Sequence, residues 1–179
     1  MQWMIASDLH GSAYYARALV EAFAREGADR LVLMGDLLYH GPRNDLPREY
    51  APKEVIPLLN GLGDRLLCVR GNCDSEVDQM VLTFPILADY AVLALGERLV
   101  YCTHGHVWNR ENLPPFRLGE HFLHGHPHVP AWAPFGPANP CLHPGSLAIP
   151  KVGSTPSYMP HQVHHILGKT LEGHPYPVL

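Results

Sequence analysis

The sequence has no long apolar run, no surplus of one charge and no paired-cysteine motif, and each absence removes a class of function. No stretch approaches the eighteen or so apolar residues needed to cross a bilayer, so no membrane association is expected. Lys and Arg number 13 against 17 Asp and Glu, a net charge of -4. Without a basic stripe to collect phosphates, a polymeric nucleic-acid partner is not expected. The four cysteines (Cys68, Cys73, Cys102, Cys141) are scattered and form no CxxC, which suits free thiols in a reducing compartment better than a disulfide framework. Met1 leads directly into a strand-like Trp3–Ala6 with no leader pattern, so the expected address is the cytoplasm. Nucleotide loops are missing too. Leu167-Gly168-Lys169-Thr170 resembles the end of a P-loop, but Val163 occupies its upstream glycine position, and Gly61-Leu62-Gly63 lacks the third glycine of a dinucleotide fingerprint.

What remains is a chain of 179 residues, 46% hydrophobic and 17% charged, which reads as one domain over 1–179. Its first half alternates apolar strands with helical patterns: Trp3–Ser7, then a helix over 14–26 stopped by Gly27, a strand over 30–34, a helix over 52–60 and a strand over 65–69. This is the signature of parallel βαβ units and an α/β fold. The second half is richer in β-structure. Tyr90–Leu95 and Arg98–Cys102 flank a Gly96-Glu97 turn. Half of the 18 prolines lie between Pro127 and Pro160, which predicts loops, edges and short strands there rather than helices. The stretch after His161 reads as a closing hairpin.

Histidine is conspicuous: 13 in all, six of them (His104, His106, His121, His124, His126, His128) within one short apolar segment. Imidazole is the commonest metal ligand. Asp8-Leu9-His10, His104-Gly105-His106 and His126-Pro127-His128 share a two-residue spacing at the ends of strand-like runs. On an extended chain, that spacing aims both side chains at one point. Asp36 follows Gly35, and Asn72 follows Gly71, where glycine allows a sharp turn. Each element alone is an ordinary turn or a chance pair. Their ordered occurrence at successive strand ends points to one centre at the carboxyl edge of a sheet.

The ordered motifs DLHG, MGDLL, RGNCD, THGH, HGHPH and HPGS resemble the calcineurin-like metallophosphoesterases. YHGPRN at 39–44 and RGNCDSEVDQM at 70–80 bring the chain closest to the small bacterial YfcE-type phosphodiesterases. The resemblance implies a four-layer αββα sandwich, two mixed β-sheets flanked by helices. It implies two divalent ions, one held by Asp8, His10, Asp36 and His128, the other by Asp36, Asn72, His104 and His126, with Asp36 bridging. Mn is the favoured ion; Fe, Ni, Co or Zn also suit such a ligand set. The implied activity is cleavage of a small phosphodiester by a metal-bridging hydroxide. A phosphomonoesterase or nucleotide hydrolase with the same site is the alternative, as is a non-catalytic scaffold like the retromer subunit of this fold. A homo-oligomer is compatible with either.

Cys73 departs from the family pattern, where many members carry a histidine that assists the leaving group; YfcE-type proteins share the cysteine. It is either an inert thiol or a substrate contact. Its presence biases the expectation toward diesters and activated esters. By the resemblance, Asp74 sits where the family has the carboxylate that orients the missing histidine. Asp74-Ser75 with Asp78, however, reads as a helix N-cap with a capping box, and Asp74 is assigned to that cap. His106 is expected to touch substrate or support a ligand. Arg43 and Asn44 either line the substrate pocket or form an exposed loop. His124 is assigned to strand packing, and His121, His161, His164, His165 and His174 to structural or surface roles. His143 stands where the family's NPGS loop has asparagine.

Overall fold

In the computed structural model, β1 (Trp3–Ala6), β2 (Arg30–Leu33) and β3 (Leu66–Cys68) pair in parallel. Residues 96, 116, 118, 136–138, 163–164 and 177–179 lie outside the described structure. Strand period decides the layers. Met4, Ala6, Leu31 and Leu33 enter a buried cluster with Ala16, Leu19 and Phe23 of α1 (Ala13–Glu26) and Val55 and Leu59 of α2 (Pro52–Asn60). The alternate residues Ile5 and Val32 enter a second cluster on the opposite face.

That second cluster is the seam between two sheets. α3 (Glu76–Gln79) precedes the strands of the other sheet: β4 (Ala91–Leu95), β5 (Arg98–Thr103), β6 (His121–His124), β7 (Ala131–Phe135) and β8 (Asn139–His143). They run in the order β4-β5-β6-β8-β7, with β5-β6 and β6-β8 parallel. Val100, Leu123 and Leu142 of this sheet meet Ile5, Val32 and Met159 across the seam. β9 (Ser157–Gln162) returns to the first sheet antiparallel to β1, and β10 (His165–Ile166) and β11 (Lys169–Thr170) pair with it.

The two mixed sheets and the helical layer on the first match the expected sandwich. Among the described residues, segment 105–111, rather than a helix, stands beside the outer face of the second sheet at His124 and His143. The prolines behave as expected: Pro134 and Pro140 oppose each other where β8 meets the edge strand β7. β4 and β5 pair through Leu95 and Arg98, but Gly96 of the expected turn lies outside the described residues. So do Val163, His164 and the side chain of His165.

A partly buried polar knot ties the C-terminal strands to α1. The Glu26 carboxylate accepts the Tyr158 hydroxyl at 2.6 Å and Lys169 Nζ at 2.8 and 2.9 Å. Burial alone would raise the Glu26 carboxyl, but Lys169 and Tyr158 hold it below its ordinary value. A depressed carboxyl contributes stability above its unfolded pKa and loses it as pH falls through the folded value. Glu26→Gln is therefore expected to cost about 2 kcal/mol near neutrality, or a Tm drop of roughly 4–8 °C. In thermal melts across pH, the gap between parent and variant should close in acid, where the parent's carboxyl is itself protonated.

Candidate metal and phosphoester site

The loops after β1 and β2 are fastened side by side. The amides of Asp8, His10 and Gly11 donate to the carbonyls of Gly35, Asp36 and Leu37 at 3.1, 2.8 and 2.8 Å. Within this frame Asp8 (φ 59°), His10 (φ 48°), Asp36 (φ 57°), His126 (φ 67°) and His128 (φ 61°) all adopt the left-handed conformation. Non-glycine residues there carry strain that the surroundings must enforce, and such strain clusters at functional sites. The two-residue spacing therefore works differently from the extended-strand expectation. Both DLH and HPH lie beyond their strands, and left-handed turns swing their side chains inward.

Gly35 (φ 93°) provides the sharp turn expected of it. Gly71 serves another purpose. A Cβ there would collide with Asp36 Oδ1 and the Asp36 amide, so glycine is required for close approach rather than for turning.

All seven expected ligands converge through pairwise distances of 3.0–3.6 Å. His128 Nε2 lies 3.1 Å from Asp8 Oδ1, and His10 Nε2 lies 3.6 Å from both Asp8 Oδ1 and Asp36 Oδ2. His104 Nε2 lies 3.4 Å from Asp36 Oδ2 and 3.0 Å from Asn72 Oδ1. The seventh, His126, presents Nδ1 at 3.2 Å from His104 Nε2. Asp36 Oδ2 thus stands between the His10 and His104 groups.

Acceptors face acceptors in this arrangement. A carbonyl can only accept, so the Nδ1 atoms of His10, His104 and His128 donate to the carbonyls of Tyr39 (2.8 Å), Met34 (2.7 Å) and Ile149 (2.7 Å). In the neutral rings each Nε2 is then a bare lone pair. Two of these, on His10 and His128, lie 3.4 Å apart. Asp8 Oδ1 is buried among them without any hydrogen-bond donor. Such a constellation is satisfied by positive charge at its centre. Burial would raise the Asp8 carboxyl, yet His10, His128 and His104 hold it well below the carboxylate range. Burial would lower His104, yet Asp36 and Asp8 raise it to about 9. A carboxylate, imidazole and carboxamide donor set fits borderline divalent cations. Fixing each Nδ1 on a carbonyl is the usual support of a ligating histidine.

Three supporting residues went unassigned or misassigned from sequence. Ser146 donates to the Asp8 carbonyl at 2.9 Å and accepts the Ile149 amide at 2.9 Å, joining Asp8 to the loop whose Ile149 carbonyl holds His128. Its signal was the retained Pro-Gly-Ser triplet. Asp74 is not the helix cap. Ser75 caps α3, reciprocally with Asp78, while the buried Asp74 carboxylate accepts the amides of Asp36 (2.8 Å), Leu37 (2.9 Å) and Gly71 (2.7 Å). It fixes the backbone on both sides of the close Gly71–Asp36 approach. Lys151, beyond the HPGS loop, lines the same depression as the ligands; nothing in its local sequence marked it.

That depression, about 380 Å³, is lined by His10, Asp36, Asn72, Cys73, His126 and His128 together with Arg43, Asn44 and Lys151. Arg43 and Asn44 are thus brought to the site. Cys73 is half-buried, donates its amide to Asp36 Oδ1 at 2.8 Å, and receives the Asn72 amide nitrogen at 3.3 Å. Burial, with Asp36 beside it, pushes its thiol up to about 12, so it is neutral and carries no charge for a leaving group. His106 stands elsewhere: its ring is 5.4 Å from that of His104, and it lines a separate depression of about 190 Å³ with Asp89 and Trp108. His121 and His161 are buried and His174 is exposed. His124 packs buried against His143, with ring centroids 3.8 Å apart.

The calcineurin-like phosphoesterase superfamily domain matches residues 1–165 of this chain. Phosphodiesterase YfcE of Escherichia coli (strain K12) is 45% identical over 158 residues, 88% of this chain and 85% of that protein. The solved structure of YfcE, a phosphoesterase from E. coli, superposes with a TM-score of 0.92 at 42% identity, over 96% of this chain and 93% of that one. Vps29 from Entamoeba histolytica shares the fold alone, with a TM-score of 0.60 at 20% identity, over 95% of this chain and 92% of that one.

Proposed function

Because the chain belongs to the calcineurin-like phosphoesterase superfamily, we propose that it is a metal-dependent phosphodiesterase with two adjoining cation sites. Asp8, His10, Asp36 and His128 would hold one ion, and Asp36, Asn72, His104 and His126 the other. The observation that carries this reading is the set of bare imidazole nitrogens turned on one another and on an orphaned carboxylate oxygen. Bound divalent ions supply Lewis acidity, polarising the phosphoryl oxygens and lowering the pKa of a water.

The chain's own groups do the rest. Asp36 shares its charge between the two halves of the centre. Arg43 and Lys151 bind the anionic substrate from the rim, while the loop hydrogen bond of Asn44 to the His40 carbonyl (2.8 Å) keeps that rim in shape. Asn72 is oriented by its amide nitrogen, which donates to Cys73 Sγ at 3.3 Å and leaves its oxygen turned toward the centre, 3.0 Å from His104 Nε2. His106, which partial burial holds below its ordinary pKa, lines the neighbouring depression 5.4 Å ring to ring from His104 and would meet only a substrate portion that extends beyond the centre. With a neutral thiol at Cys73 and no cationic acid there, esters whose leaving group departs unaided are favoured. That selects diesters and activated esters over ordinary monoesters. Mn is the proposed ion, and the substrate a small phosphodiester. Among the described residues no helix is long and apolar enough to cross a membrane.

The test is hydrolysis of bis-p-nitrophenyl phosphate against p-nitrophenyl phosphate, with the chelated protein and after Mn is restored. Mn-dependent turnover favouring the diester is expected. Faster turnover of the monoester would replace the diesterase reading with a phosphomonoesterase. No turnover on either, with ions bound, would favour the scaffold. Arg43→Ala and Lys151→Ala are each expected to raise KM about tenfold, a loss of about 1.4 kcal/mol of binding, with little change in kcat. A fall in kcat at constant KM would move these residues from binding to chemistry.

A further inference from the structure

On the second sheet, β6 and β8 run parallel with Phe122 opposite Cys141 and Leu123 opposite Leu142. Leu123 and Leu142 enter the seam between the sheets. Alternation therefore places His124, Cys141 and His143 together on the outer face. All three are buried, at 3%, 0% and 7% exposure, and none belongs to the centre described above. One ligating atom from each lies within 4.8 Å of the others.

The geometry points to a further cation site, formed by His124, Cys141 and His143, that takes a thiophilic divalent ion, zinc foremost. Tetrahedral zinc, with Zn–S of about 2.3 Å and Zn–N of about 2.0–2.1 Å, sets sulfur and nitrogen about 3.5 Å apart. Cys141 Sγ and His143 Nε2 are 3.5 Å apart. His124 donates through Nδ1 to the Gly125 carbonyl at 3.1 Å, so its Nε2 carries the lone pair. That Nε2 is buried with no partner. Buried polar atoms left unpaired call for an explanation, and a bound ion supplies one.

The ion would have a way in. His124 and His143 line a depression of about 400 Å³ whose wall also carries Asn109, Arg110 and Glu111. Water or a small ligand in that depression would complete the coordination of an ion held by three side chains. One thiolate with two imidazoles selects differently from the carboxylate-rich centre, so the two sites would prefer different metals. On binding, the Cys141 thiol gives up its proton to solvent and the sulfur ligates as thiolate. The ion would fasten β6 to β8 just before the loops that carry His126 and Ser146. This inference does not rest on the phosphodiesterase reading, since the two sites share no residue.

The full-length protein, loaded with Mn and then titrated with Co(II), provides the test. Near-ultraviolet thiolate-to-cobalt absorption is expected, with one equivalent of Co(II) bound beyond the centre's own. Both should be lost in Cys141→Ala and in His143→Asn, and both should persist in Cys73→Ala, the thiol closest to the other centre. No thiolate absorption at saturation in the parent protein would reduce the cluster to a thiol–imidazole hydrogen bond and overturn the site. Absorption that survives Cys141→Ala, or that disappears in Cys73→Ala, would also overturn it. The parent's spectrum decides even where a variant does not fold.

Discussion

Replacing Asp36 by asparagine is expected to lower kcat/KM for bis-p-nitrophenyl phosphate by at least about 10³-fold, a barrier increase of roughly 4 kcal/mol. The substitution is nearly isosteric and leaves an oxygen able to accept the Cys73 amide, now 2.8 Å from Asp36 Oδ1. It removes the negative charge at Oδ2, which lies 3.6 Å from His10 Nε2 and 3.4 Å from His104 Nε2. One change therefore weakens both halves of the centre. Removing His128, by contrast, strips ligation from one half only and should cost less. Steady-state kinetics with parallel measurement of bound Mn would separate lost metal from lost chemistry. Undiminished metal-dependent turnover in Asp36→Asn would remove the assigned site.

Asp74→Ala should be the most damaging substitution outside the ligands. Three amides would lose their acceptor inside the protein, and a buried unsatisfied donor costs about 1–3 kcal/mol each. A loss of about 3–5 kcal/mol follows, equivalent to a Tm drop of roughly 10 °C or more for a chain of this length. Activity should fall as well, because the same amides set the left-handed backbone of Asp36. Asp74→Asn retains one accepting oxygen and should fall between parent and alanine in both readouts. A Tm within about 2 °C of the parent would show that water replaces the carboxylate without penalty, and that the backbone does not depend on it.

The ligands were legible because each follows an apolar strand, and apolar strands are what sequence period marks best. Asp8, His10, Asp36, Asn72, His104, His126 and His128 could be named as candidates without coordinates. The conformation that aims them could not. Nothing local forces Asp8 or His128 to φ near 60°. The hydrogen bonds that hold these backbones come from residues 35–37 and 146–148 for Asp8, and from Lys151 and Ser154 for His128. Asp74 was misassigned for a related reason: its neighbours Ser75 and Asp78 do form a capping box, and two of the three amides it holds, those of Asp36 and Leu37, lie across the fold. The association of His124 with Cys141 and His143 was out of reach, because it depends on β8 pairing with β6 ahead of β7, an order no pattern in the chain announces. Lys151 shows the opposite limit. Its position is fixed by a backbone bond from its amide to the His128 carbonyl at 3.1 Å, which carries no trace in residue type.

The centre straddles two sheets: Asp8, His10, Asp36 and Asn72 reach it from the first, His104, His126 and His128 from the second. The first sheet is complete only when β9, over a hundred residues downstream, settles beside β1. Contacts so distant in the chain close late, since loop entropy must be met before they return anything. A refolding molecule can therefore regain its helices and its first βαβ unit while the seven candidate ligands are still dispersed. Recovery of metal affinity and turnover would then time the slowest and least local step of folding, well after circular dichroism has reached its final value.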